Sequence, residues 1–128
     1  ADLWRERVAE ARPLPAVARV PLGEATRRLA AATELPAVPG SADWQPVSEA
    51  HAGKTLAHFL ADRGFGYAGG ISSPNTAFAC GSRLSPHLAW GTLSVRQAYH
   101  ATVRRLQELR REFPAGGPDL ARWDRSLR

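Results

Sequence analysis

Between Ser94 and Phe113 the residues Val95, Tyr99, Thr102, Leu106, Leu109 and Phe113 step by four, three, four, three and four positions, which places them on one face of an α-helix. Ser94 stands three residues before Gln97, the pattern of a capping box, and Pro114 with Gly116 and Gly117 closes the segment. Arg96, Arg104, Arg105, Arg110 and Arg111 fall on the opposite face. A helix with one apolar stripe is stable only when other elements cover that stripe, so the rest of the chain must supply partners of matching shape.

Those partners also read as helices. Asp2 to Arg12 carries Leu3, Trp4, Val8 and Ala11 near helical spacing and stops at Pro13. The segment from Pro13 to Pro21 is proline-spaced and extended, and the alanine-rich stretch after it favours helix until Pro36. Residues 36–50 have the composition of a linker, with three prolines, Gly40 and Ser41. From Glu49 to Arg63, Leu56, Ala57, Phe59 and Leu60 form a stripe, and Gly64 is expected to end that helix in the left-handed conformation. Phe65 to Gly81 reads as a loop. Ser85 and Pro86 read as an N-cap and first-turn pair, followed by a short helix closing at Gly91. A last helix begins near Pro118 with Leu120, Trp123 and Leu127. No window alternates with β-branched residues, and no repeat is visible. The predicted class is all-α, with an interdomain linker with short helices over 1–50 and a helical domain over 51–128.

Composition narrows the function. The chain has 128 residues and a net charge of +5. Residues 1–50 carry −1 and residues 51–128 carry +6, nearly all of the basic charge being arginine. A basic half is compatible with a polyanion partner and equally with a solvated arginine surface. No apolar run approaches the ~20 residues of a membrane helix, so no membrane partner is expected. Cys80 is the only cysteine, which excludes an intrachain disulfide and a CxxC metal site and points to a cytoplasmic location. No methionine occurs, and residues 118–128 read as a helix still in progress, so the sequence reads as a fragment.

Few motifs carry chemistry. Residues 64–69, GFGYAG, match G-x-G-x-x-G, but they follow a helical stripe rather than a strand, which is the wrong setting for a dinucleotide fold. His51, His58, His87 and His100 have no metal-ligand spacing, and no nucleophile elbow is present. Residues 81–97, GSRLSPHLAWGTLSVRQ, place Ser82, Arg83 and Ser85 beside two closely spaced helix starts. Backbone N–H groups, hydroxyls and a cation at one turn suit a phosphate, and two capped helices account for the same residues without any ligand.

That run resembles the motif of the DNA photolyase and cryptochrome family, T-S-R-L-S-P-x-L-x-x-G-x-L-S-x-R-Q. Ser82-Arg83-Leu84-Ser85-Pro86, Leu88, Gly91, Leu93-Ser94 and Arg96-Gln97 match it. Phe59-Leu60, Tyr67 and Pro74 reproduce the upstream helix, tyrosine and proline. The similarity covers residues 53–99. It implies the first part of an FAD-binding helical domain, with Tyr67, Ser82, Leu84 and Ser85 contacting the phosphates and ribityl chain of FAD and Arg83 adding charge. It also implies a parent protein that repairs cyclobutane pyrimidine dimers in damaged DNA by light-driven electron transfer from reduced FAD, an activity not expected of the fragment alone. A cryptochrome-like photoreceptor is the alternative, and a small helical nucleic-acid-binding module using Arg96 to Arg111 is a further one.

Three departures from the family pattern bear on function. Gly81 replaces the usual threonine, and the loop between Pro74 and Gly81 is longer than the pattern. Ile71 stands where repair enzymes often carry a DNA-gripping arginine. Trp4, Trp44, Trp90 and Trp123 are scattered, as core or interface anchors are, rather than spaced as an electron relay.

Overall fold

The computed structural model describes residues 2–12, 21–34 and 45–127. Among the described residues all regular structure is helical: α1 (Asp2–Glu10), α2 (Glu24–Ala32), α3 (Glu49–Ala61), a 3-10 turn (Arg63–Gly66), α4 (Tyr67–Gly70), α5 (Pro74–Cys80), α6 (Ser85–Ala89), α7 (Val95–Glu112) and α8 (Pro118–Leu127). The all-α class is thereby shown. The chain divides into two compact units, Ala1–Pro13 with Pro46–Arg128, and Leu14–Gln45. In the second unit α2 is exposed throughout and is held locally, by the Glu24–Arg28 ion pair and by Arg27 Nε donating to the Leu22 carbonyl at 2.9 Å. Pro13, Pro36 and Trp44 lie outside the described residues.

The core of the first unit starts from α3. Ala52, Leu56, Phe59 and Leu60 recur at helical spacing, so one face of α3 is buried, and Leu84 and Leu93 join it from the chain around α6. Tyr67, Ala98, Ala101 and Leu127 pack around this cluster. The capping box of α7 forms as the sequence predicts: Gln97 N donates to Ser94 Oγ at 3.1 Å, and Ser94 N donates to Gln97 Oε1 at 2.8 Å. Leu106 and Leu109 of α7 are buried, Leu109 to 1% exposure, whereas Val95 at the head of the same stripe is 47% exposed. The stripe is therefore deepest in its second half, where α8 covers it and Arg110 of α7 pairs with Asp124 of α8 at 3.2 Å. The C-terminal end of α1 is tied to α7 by a 3.1 Å hydrogen bond between His100 Nε2 and the Ala11 carbonyl.

Three local expectations are corrected. Gly64 is not left-handed. Among the described residues the glycines with positive φ are Gly91, Gly116 and Gly117. Gly64 is needed for space, because a Cβ there would lie 2.8 Å from the Phe59 carbonyl oxygen and 2.9 Å from the Trp123 ring. The stretch from Phe65 to Gly81 is not a loop but two short helices, α4 and α5. Gly66 and Gly70 let their backbone approach Cys80, whose Sγ would lie 3.0 and 2.4 Å from added Cβ atoms. A glycine-rich composition reads as loop in one dimension, yet here it marks close helix packing. Finally, Ser85 caps nothing: the N-cap of α6 is Leu84, in helical conformation, with no side-chain cap bond.

Two substitutions test this packing by urea denaturation. Leu106→Ala costs about 2–5 kcal/mol, as large-to-small core changes do. Gly64→Ala costs about 1–3 kcal/mol through overpacking, although alanine favours helix. A neutral Gly64→Ala would show that the Phe59 and Trp123 contacts give way freely.

Candidate functional site

The five residues singled out by the sequence fall on α4 and on the turn that joins α5 to α6. Tyr67 opens α4. Its ring is half-buried and meets Phe59 of α3 edge-on at 5.6 Å between centroids, which seats it on the core cluster that also contains Leu84. Leu84 is buried, and its burial anchors the turn. Ser82 is half-buried, and its Oγ accepts from the Leu84 N–H at 3.5 Å, a long contact that draws the turn together. Ser85 is exposed at the first residue of α6. Ser82 and Ser85 thus stand on either side of the buried Leu84 along the chain.

Arg83 is held in an unusual way. Its φ of 58° is the one positive value among the described non-glycine residues, a conformation that L-residues adopt at a steric cost. The guanidinium turns back onto α5, with Nη2 and Nε donating to the Phe78 carbonyl at 2.8 and 3.3 Å. It also lies 3.9 Å from the centroid of the Phe78 ring. Phe78 is in the last turn of α5, where carbonyls lack intrahelical donors, so Arg83 serves as that helix's C-terminal partner. The Phe78 side chain itself is 76% exposed.

Sequence reading missed Arg63. It lies in the 3-10 turn, and its Nη2 donates to the Thr55 carbonyl at 3.2 Å and to the Ser82 carbonyl at 3.3 Å. Its Nε is buried without a hydrogen-bond partner among the described residues. Burial lowers its pKa from the ordinary arginine value, the nearby Arg83 charge lowers it further, and Asp62 opposes both. No local pattern could have pointed to it, since the contact spans nineteen positions.

Two grooves lie elsewhere on the described residues. A groove of about 490 Å³ lies between α3 and α7, lined by Gly53, Ala57, Ala101, Arg104 and Glu108 among others. Another of about 410 Å³ is bounded by Trp4, Val95, Tyr99, Leu106 and Leu127. Neither is lined by the five candidates. Among the described residues no group of three or more His, Cys, Asp or Glu side chains could hold a metal. His87 is fully buried, with Nδ1 3.1 Å from Thr92 Oγ1, and belongs to the packing of α6. No described helix is long and apolar enough to cross a membrane. Trp123 is a core residue, while Trp4 and Trp90 are exposed.

The two serine-led helix starts separate in a stability measurement. Ser94→Ala, which removes a formed cap, costs about 0.5–2 kcal/mol. Ser85→Ala, at an exposed position without a cap bond, stays within about 0.5 kcal/mol. Equal losses at the two positions would restore Ser85 as a cap.

No protein-family profile, no characterised protein and no solved structure matches the chain.

Proposed function

We propose that this chain is part of the FAD-binding helical domain of a photolyase-like flavoprotein and that the turn from Ser82 to Ser85 holds the cofactor's diphosphate. The observation that carries the reading is the run GSRLSPHLAWGTLSVRQ at residues 81–97, with Tyr67 upstream. The residues fit the group. The turn carries the hydroxyls of Ser82 and Ser85 and the charge of Arg83, and Arg63 bonds its Ser82 carbonyl; anions are bound by such donors and charges. Helix dipole contributes little, because α6 has only five residues.

In this reading the chain's own residues bind and orient. Ser82 and Ser85 donate their hydroxyl protons to phosphate oxygens, Leu84 fixes the turn through its burial, and Tyr67 stands on the neighbouring helix as a contact for the ribityl chain. Reduced FAD, when bound, supplies a light-excited electron donor. The substrate is a cyclobutane pyrimidine dimer in damaged DNA, flipped out of the duplex and split without hydrolysis. The complete reaction belongs to the parent protein, in which other segments enclose the flavin ring.

A cryptochrome-like photoreceptor is the second reading, and Ile71 favours it. This residue takes the place of the family's DNA-gripping arginine, and its exposed side chain offers a phosphate backbone no charge. Binding of dimer-containing DNA by the parent protein decides between the two.

Two outcomes test the cofactor. The 128-residue chain, purified alone, is colourless, since a pocket without the segments that enclose the ring leaves most of a flavin in water. In the parent protein, replacing Ser82 and Ser85 together by alanine weakens FAD retention at least tenfold, because each hydrogen bond to an anion contributes about 1.5–3 kcal/mol. The helical circular dichroism stays unchanged. Undiminished FAD affinity in the double variant sinks the assignment.

A further inference from the structure

Arg63 lies outside the motif, yet it makes the longest-range side-chain tie to the candidate turn. One nitrogen, Nη2, bonds both the Thr55 carbonyl on α3 and the Ser82 carbonyl. A single guanidinium therefore fixes the main chain of the turn against the helix that carries the core. The arrangement has an electrostatic cost. The Nε is buried with no acceptor among the described residues, and Arg83 brings a second positive charge near the first. Among the described residues Arg63 forms no salt bridge, and the adjacent Asp62 side chain is exposed. Two like charges near one turn repel each other and together attract an anion.

We propose that Arg63 is a positioning residue of the anion-binding turn. It holds the Ser82 main chain so that the Ser82 and Ser85 hydroxyls serve one dianionic diphosphate group, and its charge adds to that of Arg83. The proposal rests on the flavin reading for the choice of diphosphate, and it adds a residue that the motif does not contain. The length of the arginine side chain is required. A lysine at 63 keeps the charge, but its shorter stem stops the ammonium before the position from which Nη2 reaches both carbonyls.

The test is a titration of the 128-residue chain with inorganic pyrophosphate at constant ionic strength, read by amide NMR shifts, with hydrogen exchange at Arg83 and Leu84 measured alongside. In the unsubstituted chain the shifts saturate and concentrate on residues 81–85. Arg63→Gln weakens pyrophosphate binding at least tenfold and speeds exchange at both amides. Arg63→Lys, with helical circular dichroism unchanged, restores part of the affinity but not the exchange protection, a split that loss of charge alone does not produce. If Arg63→Gln fails to fold, the lysine variant decides by itself: pyrophosphate affinity and exchange equal to those of the unsubstituted chain overturn the proposal. Absence of shifts at 81–85 in the unsubstituted chain overturns it too. The flavin reading fails on different grounds, through FAD retained by the parent protein's Ser82 and Ser85 double variant, a result that leaves the pyrophosphate titration as it stands.

Discussion

At Gly64 the backbone passes so close to the Phe59 carbonyl and the Trp123 ring that no side chain fits between them. This crowding makes the 3-10 turn Arg63–Gly66 the point on which α3, α4, α5 and α8 converge. Trp123 is buried on the glycine, and Phe65 of the same turn packs against the Trp123 ring at 5.6 Å. Where the turn goes, α8 follows, and with it the cover over the second half of α7. A small unit with a modest core gains its definition from such close approaches, since a loss of contact at one point leaves few others to compensate.

Around that point the polar ties run mainly from basic side chains to main-chain carbonyls. Arg105 Nε bonds the Leu60 carbonyl in the last turn of α3, Arg122 Nε bonds the Phe65 carbonyl, and Arg83 bonds the Phe78 carbonyl at the end of α5. His100 does the same for α1 at Ala11. Helices end with carbonyls that lack donors, and a long cationic side chain satisfies them while favouring the negative end of the helix dipole. Part of the arginine excess is therefore structural. Arg105 and Arg110 on the polar face of α7 are likewise engaged, with Glu112 and Asp124, which leaves a charge run less free than its sequence implies.

Local chemistry made much of this legible. The capping box of α7, its buried Leu106 and Leu109, the buried Leu56, Phe59 and Leu60 of α3 and the final helix with Trp123 depend on residues three or four positions apart and formed where the spacing placed them. Ala57 and Val95 of the two expected stripes are instead exposed, and Ala52 takes the buried place on α3. The glycines did not declare their purpose. Gly64, Gly66 and Gly70 look like loop formers, but their role is set by Trp123 and Cys80, which are distant in sequence. The Ser85-Pro86 pair shows the reverse error: a local signal for a cap that the backbone declined, because Leu84 had already entered helical geometry.

The sequence by itself determined the helical class, the face of α3 and α7 that turns inward, and the identity of the motif residues Tyr67, Ser82, Arg83, Leu84 and Ser85. Those properties follow from periodicity and residue type, which act over one or two helical turns. Only the tertiary structure decided that Arg83 folds back onto Phe78, that Arg63 bolts the turn to α3, and that a glycine-rich stretch is packed helix. These depend on groups separated by many residues meeting in space, where a carbonyl without a donor, a ring without room or a second charge nearby sets the outcome.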